Sequence, residues 1–155
     1  MATPYKDLTD GLLSRLRSSG IPNITEEQLD SMLADYIRPA IIKFKVCKQD
    51  LSDRNDDLAV FNIDLTDEEK EILILFMLVE YLSANYINVP SLLRQNLTSK
   101  DFKVFSSAEH LYRLTELRSV YEKEARQMVS AYSNIGSNLF DVLKAKSSST
   151  EQDEG

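Results

Sequence analysis

The chain has 155 residues, is 43% hydrophobic and carries a net charge of -7, which suits a single globular domain with one core. Its one cysteine, Cys47, excludes an intrachain disulfide and a multi-cysteine metal site. The charge imbalance is local, because residues 50–71 hold nine acids and two bases while the remainder is balanced; this disfavours a surface built to grip nucleic-acid phosphates.

At the N-terminus, "MATPYKDLTDGLL" lacks the basic region and apolar stretch of a signal peptide, so the chain reads as soluble and not exported. On that reading the sequons Asn23-Ile24-Thr25 and Asn96-Leu97-Thr98 are polar turns. Thr3 before Pro4 predicts an N-cap with proline at the first helical position, and Gly20 a stop, for a first helix over about 4–18. Thr25-Glu26-Glu27-Gln28 predicts a capping box with Ile24 stapled onto Leu29. The second helix then carries Leu29, Met32, Leu33, Tyr36, Ile37 and Ile41 on one stripe to about Lys48, with Cys47 packed in it and Pro39 bending it.

The acidic segment follows. Leu58 to Ile63 is the one plausible strand, and with no partner in the chain it is expected to be extended loop or an edge awaiting another subunit. Asp53, Asn55 and Asp57 occupy the first, third and fifth positions of a calcium loop, but Leu58 replaces the turn glycine and Asp64 the bidentate glutamate. The preferred reading is a solvated acidic loop.

Thr66-Asp67-Glu68-Glu69 predicts another capping box, with acids where the helix dipole favours them. Ile72 to Val79 is apolar on every face, so this helix must be surrounded, and Leu75 and Met77 are core candidates. The run is too short to span a bilayer core, which needs ~20 apolar residues. A short segment is expected at Pro90 to Asn96. Ser106-Ser107-Ala108-Glu109 then caps a long amphipathic helix with Leu111, Leu114, Tyr121, Ala125, Met128, Tyr132 and Ile135 on one stripe, interrupted by Arg118.

After Ser133 the character changes. Residues 1–135 read as a helical domain and 136–155 as a tail, in which Leu139, Phe140, Val142 and Leu143 form an apolar cluster suited to docking on a partner or on the chain's own bundle. The fold class is all-α: a small helical bundle with a long C-terminal helix, one short extended segment near 58–63 and that tail. No phosphate loop, paired-histidine motif or nucleophile elbow is present. The single histidine, His110, reads as a surface or capping residue. The chain is expected not to be an enzyme and to need no cofactor or metal.

The stretch Asp67 to Ser133 resembles the head-to-tail connector, or adaptor, proteins of tailed double-stranded DNA bacteriophages. The resemblance rests on a buried helix ending in Glu80-Tyr81-Leu82, on Leu-Leu-x-Gln at Leu92 to Gln95, on "SKDFKVFSSA", and on a long helix closing with Tyr132-Ser133. Tyr81 stands where a tryptophan is expected. The resemblance implies a virion protein of the neck, between capsid and tail, assembled in the host cytoplasm. It implies a homo-oligomeric ring beneath the portal protein, about twelve-fold if it follows the portal, that extends the DNA channel and docks a stopper or tail protein. DNA would pass without specific binding, and no membrane would be involved. In such a ring Asp53, Asp56 and Asp57 would face the channel or a basic neighbour, and reversing their charge would disturb assembly or DNA passage more than folding. Leu139, Phe140, Val142 and Leu143 would dock on the portal. The rival reading is a small non-viral helical protein-binding module, a regulator or assembly chaperone.

Overall fold

The architecture follows from one helix that is apolar all round. The computed structural model of the chain describes residues 1–18, 25–88 and 108–134. These form four α-helices and a miniature sheet: β1 (Thr3–Pro4), α1 (Tyr5–Ser18), α2 (Glu26–Lys43), β2 (Arg54–Asn55), β3 (Val60–Phe61), α3 (Asp67–Leu82) continued by a π-helical turn (Ser83–Asn88), and α4 (Ala108–Asn134). The fold is thus broadly all-α with a small three-stranded sheet.

The central helix is α3, against which α1, α2 and α4 all pack. Every residue from Ile72 to Val79 is buried, as a helix without a polar face requires. Its start is fixed by the expected capping box: the Thr66 hydroxyl accepts from the Glu69 N–H at 3.2 Å, and the Glu69 carboxylate accepts from the Thr66 N–H at 2.9 Å. Leu8, Leu12, Leu13 and Leu16 of α1, Tyr36, Ile37 and Ala40 of α2, and Leu114, Ala125 and Tyr132 of α4 supply the surrounding core. No described helix is long and apolar enough to cross a membrane.

Helix α1 approaches α3 through Gly11, where an added Cβ would overlap Ile74 Cδ1. Glycine in a helix interior costs roughly 1 kcal/mol relative to alanine, so the close approach accounts for its presence. Gly11→Ala is expected to change stability by no more than about 1 kcal/mol, because propensity gained offsets an Ile74 rotamer shift. Gly11→Val should lose about 2 kcal/mol or more by overpacking. Urea unfolding of both variants tests this, and a neutral Gly11→Val would show that the helices separate freely.

Three local expectations are corrected. Val60–Phe61 is not an unpaired edge. It is the middle strand of an antiparallel sheet of order β1-β3-β2, with Thr3 opposite Phe61 and Arg54 also opposite Phe61. Thr3 accordingly is not an N-cap of α1; it is buried in β1, and its hydroxyl accepts from the Leu65 N–H at 2.9 Å. Helix α2 ends at Lys43, not near Lys48, so Cys47 lies in the following turn. The Phe44 N–H is shared between the Ala40 and Ile41 carbonyls, and the Lys48 N–H is drawn away to the Tyr132 hydroxyl, so the helical ladder stops. Pro39 is accommodated inside α2.

Candidate interaction surfaces

The acidic segment folds as a β2–β3 hairpin held to the start of α1 by Tyr5 and to α2 by Arg38. Its turn is built without glycine. The Asn55 side chain accepts from the Leu58 N–H at 3.0 Å, and Ala59 takes a left-handed φ of 52°. The Tyr5 N–H donates to the Ala59 carbonyl at 2.8 Å, which holds that conformation from outside the hairpin. Tyr5 also stacks on Phe61 with ring centroids 5.0 Å apart.

The three aspartates singled out by the sequence occupy different environments. Asp56 accepts from the Tyr5 hydroxyl at 2.7 Å, from Arg54 at 3.2 Å and from Arg38 at 3.4 Å. Asp53 accepts from the Asn62 side chain at 2.8 Å. Asp57 is exposed and, among the described residues, makes no ion pair or hydrogen bond. Reversing Asp56 would therefore also remove the anchor of Tyr5, so Asp57 alone isolates the effect of charge. With Asp53 and Asn55 engaged inside the hairpin, the segment has the form of a strand turn, and no group of three metal-ligating side chains occurs among the described residues.

The Tyr5 hydroxyl and then the two guanidiniums hold the Asp56 carboxyl below the usual carboxylate range. A lowered carboxylate pKa contributes stability that is complete above the unfolded value of about 3.9 and is lost as pH falls through the folded one. Glu122, lowered first by its hydrogen bond from Arg126, adds to the same trend. The melting temperature is expected to drop below about pH 4, less steeply in Asp56→Asn. Thermal melts across that range test this, and identical profiles would contradict it.

A second surface lies at the C-terminal end of α2. Ile42, Lys43, Lys45, Phe76, Arg126, Val129 and Ser130 line a groove of about 510 Å³ between α2 and α4, with buried Phe76 contributing from α3. Ile42 is 64% exposed on its rim. Lys43 pairs with Glu80, and Arg126 with Glu122 at 2.9 Å, whereas Lys45 makes no ion pair or hydrogen bond among the described residues. The groove is thus apolar with a basic rim, on which Lys43 and Arg126 are neutralised by Glu80 and Glu122.

A buried polar junction fixes the last described turn of α4. Glu69, 2% exposed, accepts from the Tyr132 hydroxyl. The Cys47 thiol lies 3.7 Å from the same carboxylate oxygen. Tyr132 in turn accepts from the Lys48 N–H at 2.9 Å, stacks edge-on against Phe44, and lies under the Lys48 ammonium. Burial, then the bond to Glu69, pushes the Tyr132 phenol pKa up; burial pushes the Cys47 thiol up, which keeps it protonated and unreactive. No buried side-chain polar atom among the described residues lacks a partner.

Arg118, the interruption in the α4 stripe, has a structural role that the sequence did not reveal. Its guanidinium donates to the Ser83 hydroxyl at 2.5 Å, where α3 passes into the π-helical turn, and Ser83 donates to the Val79 carbonyl. Glu122 pairs with Arg118 at 3.5 Å.

Of the other residues to which the sequence pointed, Leu75 and Met77 are in the core at 0% exposure. The tail cluster Leu139, Phe140, Val142 and Leu143, the side chain of His110 and the segment from Pro90 to Asn96 lie outside the described residues. Comparison with protein-family models, with curated proteins and with solved structures finds no match.

Proposed function

We propose that this chain is a structural subunit of a tailed-phage neck, forming a ring under the portal that extends the DNA channel and presents a docking surface to a stopper or tail protein. What supports this reading is the position of the resembling stretch, Asp67 to Ser133. Its two described helices are the central α3 and the α4 that packs along it, with Glu80-Tyr81-Leu82 at the end of α3 and Tyr132 bound to Glu69 at the end of α4. The bond of Tyr132 fixes the last described turn of α4. Leu139, Phe140, Val142 and Leu143 would dock on the portal, while the acidic segment with Asp53 and Asp57 would face either the channel, as a negative surface over which DNA slides, or a basic neighbour.

Co-purification with the portal protein of the same phage, followed by negative-stain imaging, tests the reading. A ring of this chain below the portal is the expected result. Deletion of 136–155 should leave the body folded and abolish portal binding; a truncated chain that binds with full affinity would assign the grip elsewhere.

The second reading, a small helical protein-binding module, draws on one observation. Helix α3 is enclosed by the chain's own α1, α2 and α4, so the core needs no neighbour. A stable small species that ignores the portal would favour it.

A further inference from the structure

Two surfaces of the subunit match each other in chemistry but do not meet within one chain. At the hairpin tip, Leu58 is 70% exposed beside the uncommitted carboxylate of Asp57. At the groove, apolar Ile42, Phe76 and Val129 are rimmed by Lys43, Lys45 and Arg126, of which Lys45 is uncommitted among the described residues. Leu58 and Ala59 line a depression together with Asp30, near the start of α2, whereas the groove begins at Ile42, near its end. At 1.5 Å per residue, Asp30 and Ile42 are about 18 Å apart along the helix. The hairpin is held by Tyr5 and by Arg38, which lies one turn before Ile42, and none of its residues lines the groove of the same subunit.

We propose that the groove between α2 and α4 receives the hairpin tip of a second copy of this chain. Leu58 enters the apolar floor, and Asp57 faces Lys45 at the rim. The occupant is a second copy because each partner surface supplies what the other lacks: an acid-flanked apolar knob against a base-rimmed apolar groove. The two patches lie at different places on the subunit, so the contact is head-to-tail. Such contacts propagate, and they close into a ring where the rotation per subunit allows. The inference rests on the ring reading above and assigns the residues that would join neighbours.

Cysteine cross-linking of the full-length chain tests it. In a Cys47→Ser background, Leu58→Cys and Ile42→Cys are both substitutions at exposed positions, so folding is not at stake. Mixing the two single-cysteine chains under mild oxidant should give dimers containing one of each, and a chain carrying both should give a ladder of oligomers. Asp57→Lys should cut the yield about tenfold, and Lys45→Asp on the partner should restore it. Cross-links formed only between identical cysteines, or no cross-link at the highest soluble concentration and on the portal, would overturn the contact. So would an intrachain bridge from Ile42→Cys to Leu139→Cys, which would show that the tail fills the groove. Rings on portal without the Leu58–Ile42 bridge would sink this interface and leave the neck reading standing. The bridge in a chain that ignores portal would do the reverse.

Discussion

Replacing Leu75 or Met77 with aspartate is expected to unfold the domain. Both side chains are fully buried in the apolar stretch of α3. An unpaired charge there must be desolvated or protonated, and mutations of this kind reach about 4–5 kcal/mol or more. Domains of this size have about 5–15 kcal/mol in all. Leu75→Met, which keeps volume and apolarity, should lose less than about 1.5 kcal/mol and serves as the control. Circular dichroism melts decide the matter: a fully helical Leu75→Asp protein with an unchanged transition would show that α3 is not the core.

The second large effect is expected at Glu69. Its carboxylate accepts from the Thr66 N–H, the Tyr132 hydroxyl and the Cys47 thiol, and it sits in the first turn of α3, where the helix dipole favours an anion. Glu69→Ala deletes the acceptor and leaves a buried phenol and a backbone N–H unpaired, a loss of about 3 kcal/mol or more. Tyr132→Phe removes one hydroxyl and should cost about 1–2 kcal/mol. The double variant should be less destabilised than the sum, because both changes break the same bond. Strict additivity would show that the bond contributes nothing. The raised phenol pKa adds a pH signature: the contribution is present below the ordinary tyrosine value of about 10 and declines as pH climbs above it, an alkaline loss that should be smaller in Tyr132→Phe, where the raised phenols of Tyr5 and Tyr36 remain.

Glu69 also shows how far the sequence could be read. Its capping role is written in a four-residue pattern, because donor and acceptor are three residues apart. Its bond to Tyr132 joins positions 63 apart, and no local periodicity encodes that. The burial of Ile72 to Val79 was legible for a similar reason: eight adjacent apolar side chains leave a helix no face to turn to water. The sheet was not legible. Its strands are two residues each, too short for alternation to register, and Thr3-Pro4 carries the same letters as a helix N-cap. The hairpin turn hid for want of glycine, since Ala59 is held at positive φ while Tyr5 bonds its carbonyl. Nor did the acidic run disclose that Asp56 is a fastener and that Asp57 is unpaired among the described residues. That difference depends on Tyr5 and Arg38, which come from other helices.

The junction at the start of α3 bears on how the chain is made. Leu65 is tied to Thr3, near one end of the body, and Glu69 to Tyr132, near the other. A chain emerging from the ribosome can assemble β1, α1 and α2 against α3 before α4 has emerged. Until then the side of α3 that α4 covers is exposed, and it is among the most apolar surface the protein possesses. That interval is when aggregation threatens. Nascent chains stopped short of Tyr132 are expected to recruit chaperones more strongly than chains with α4 complete.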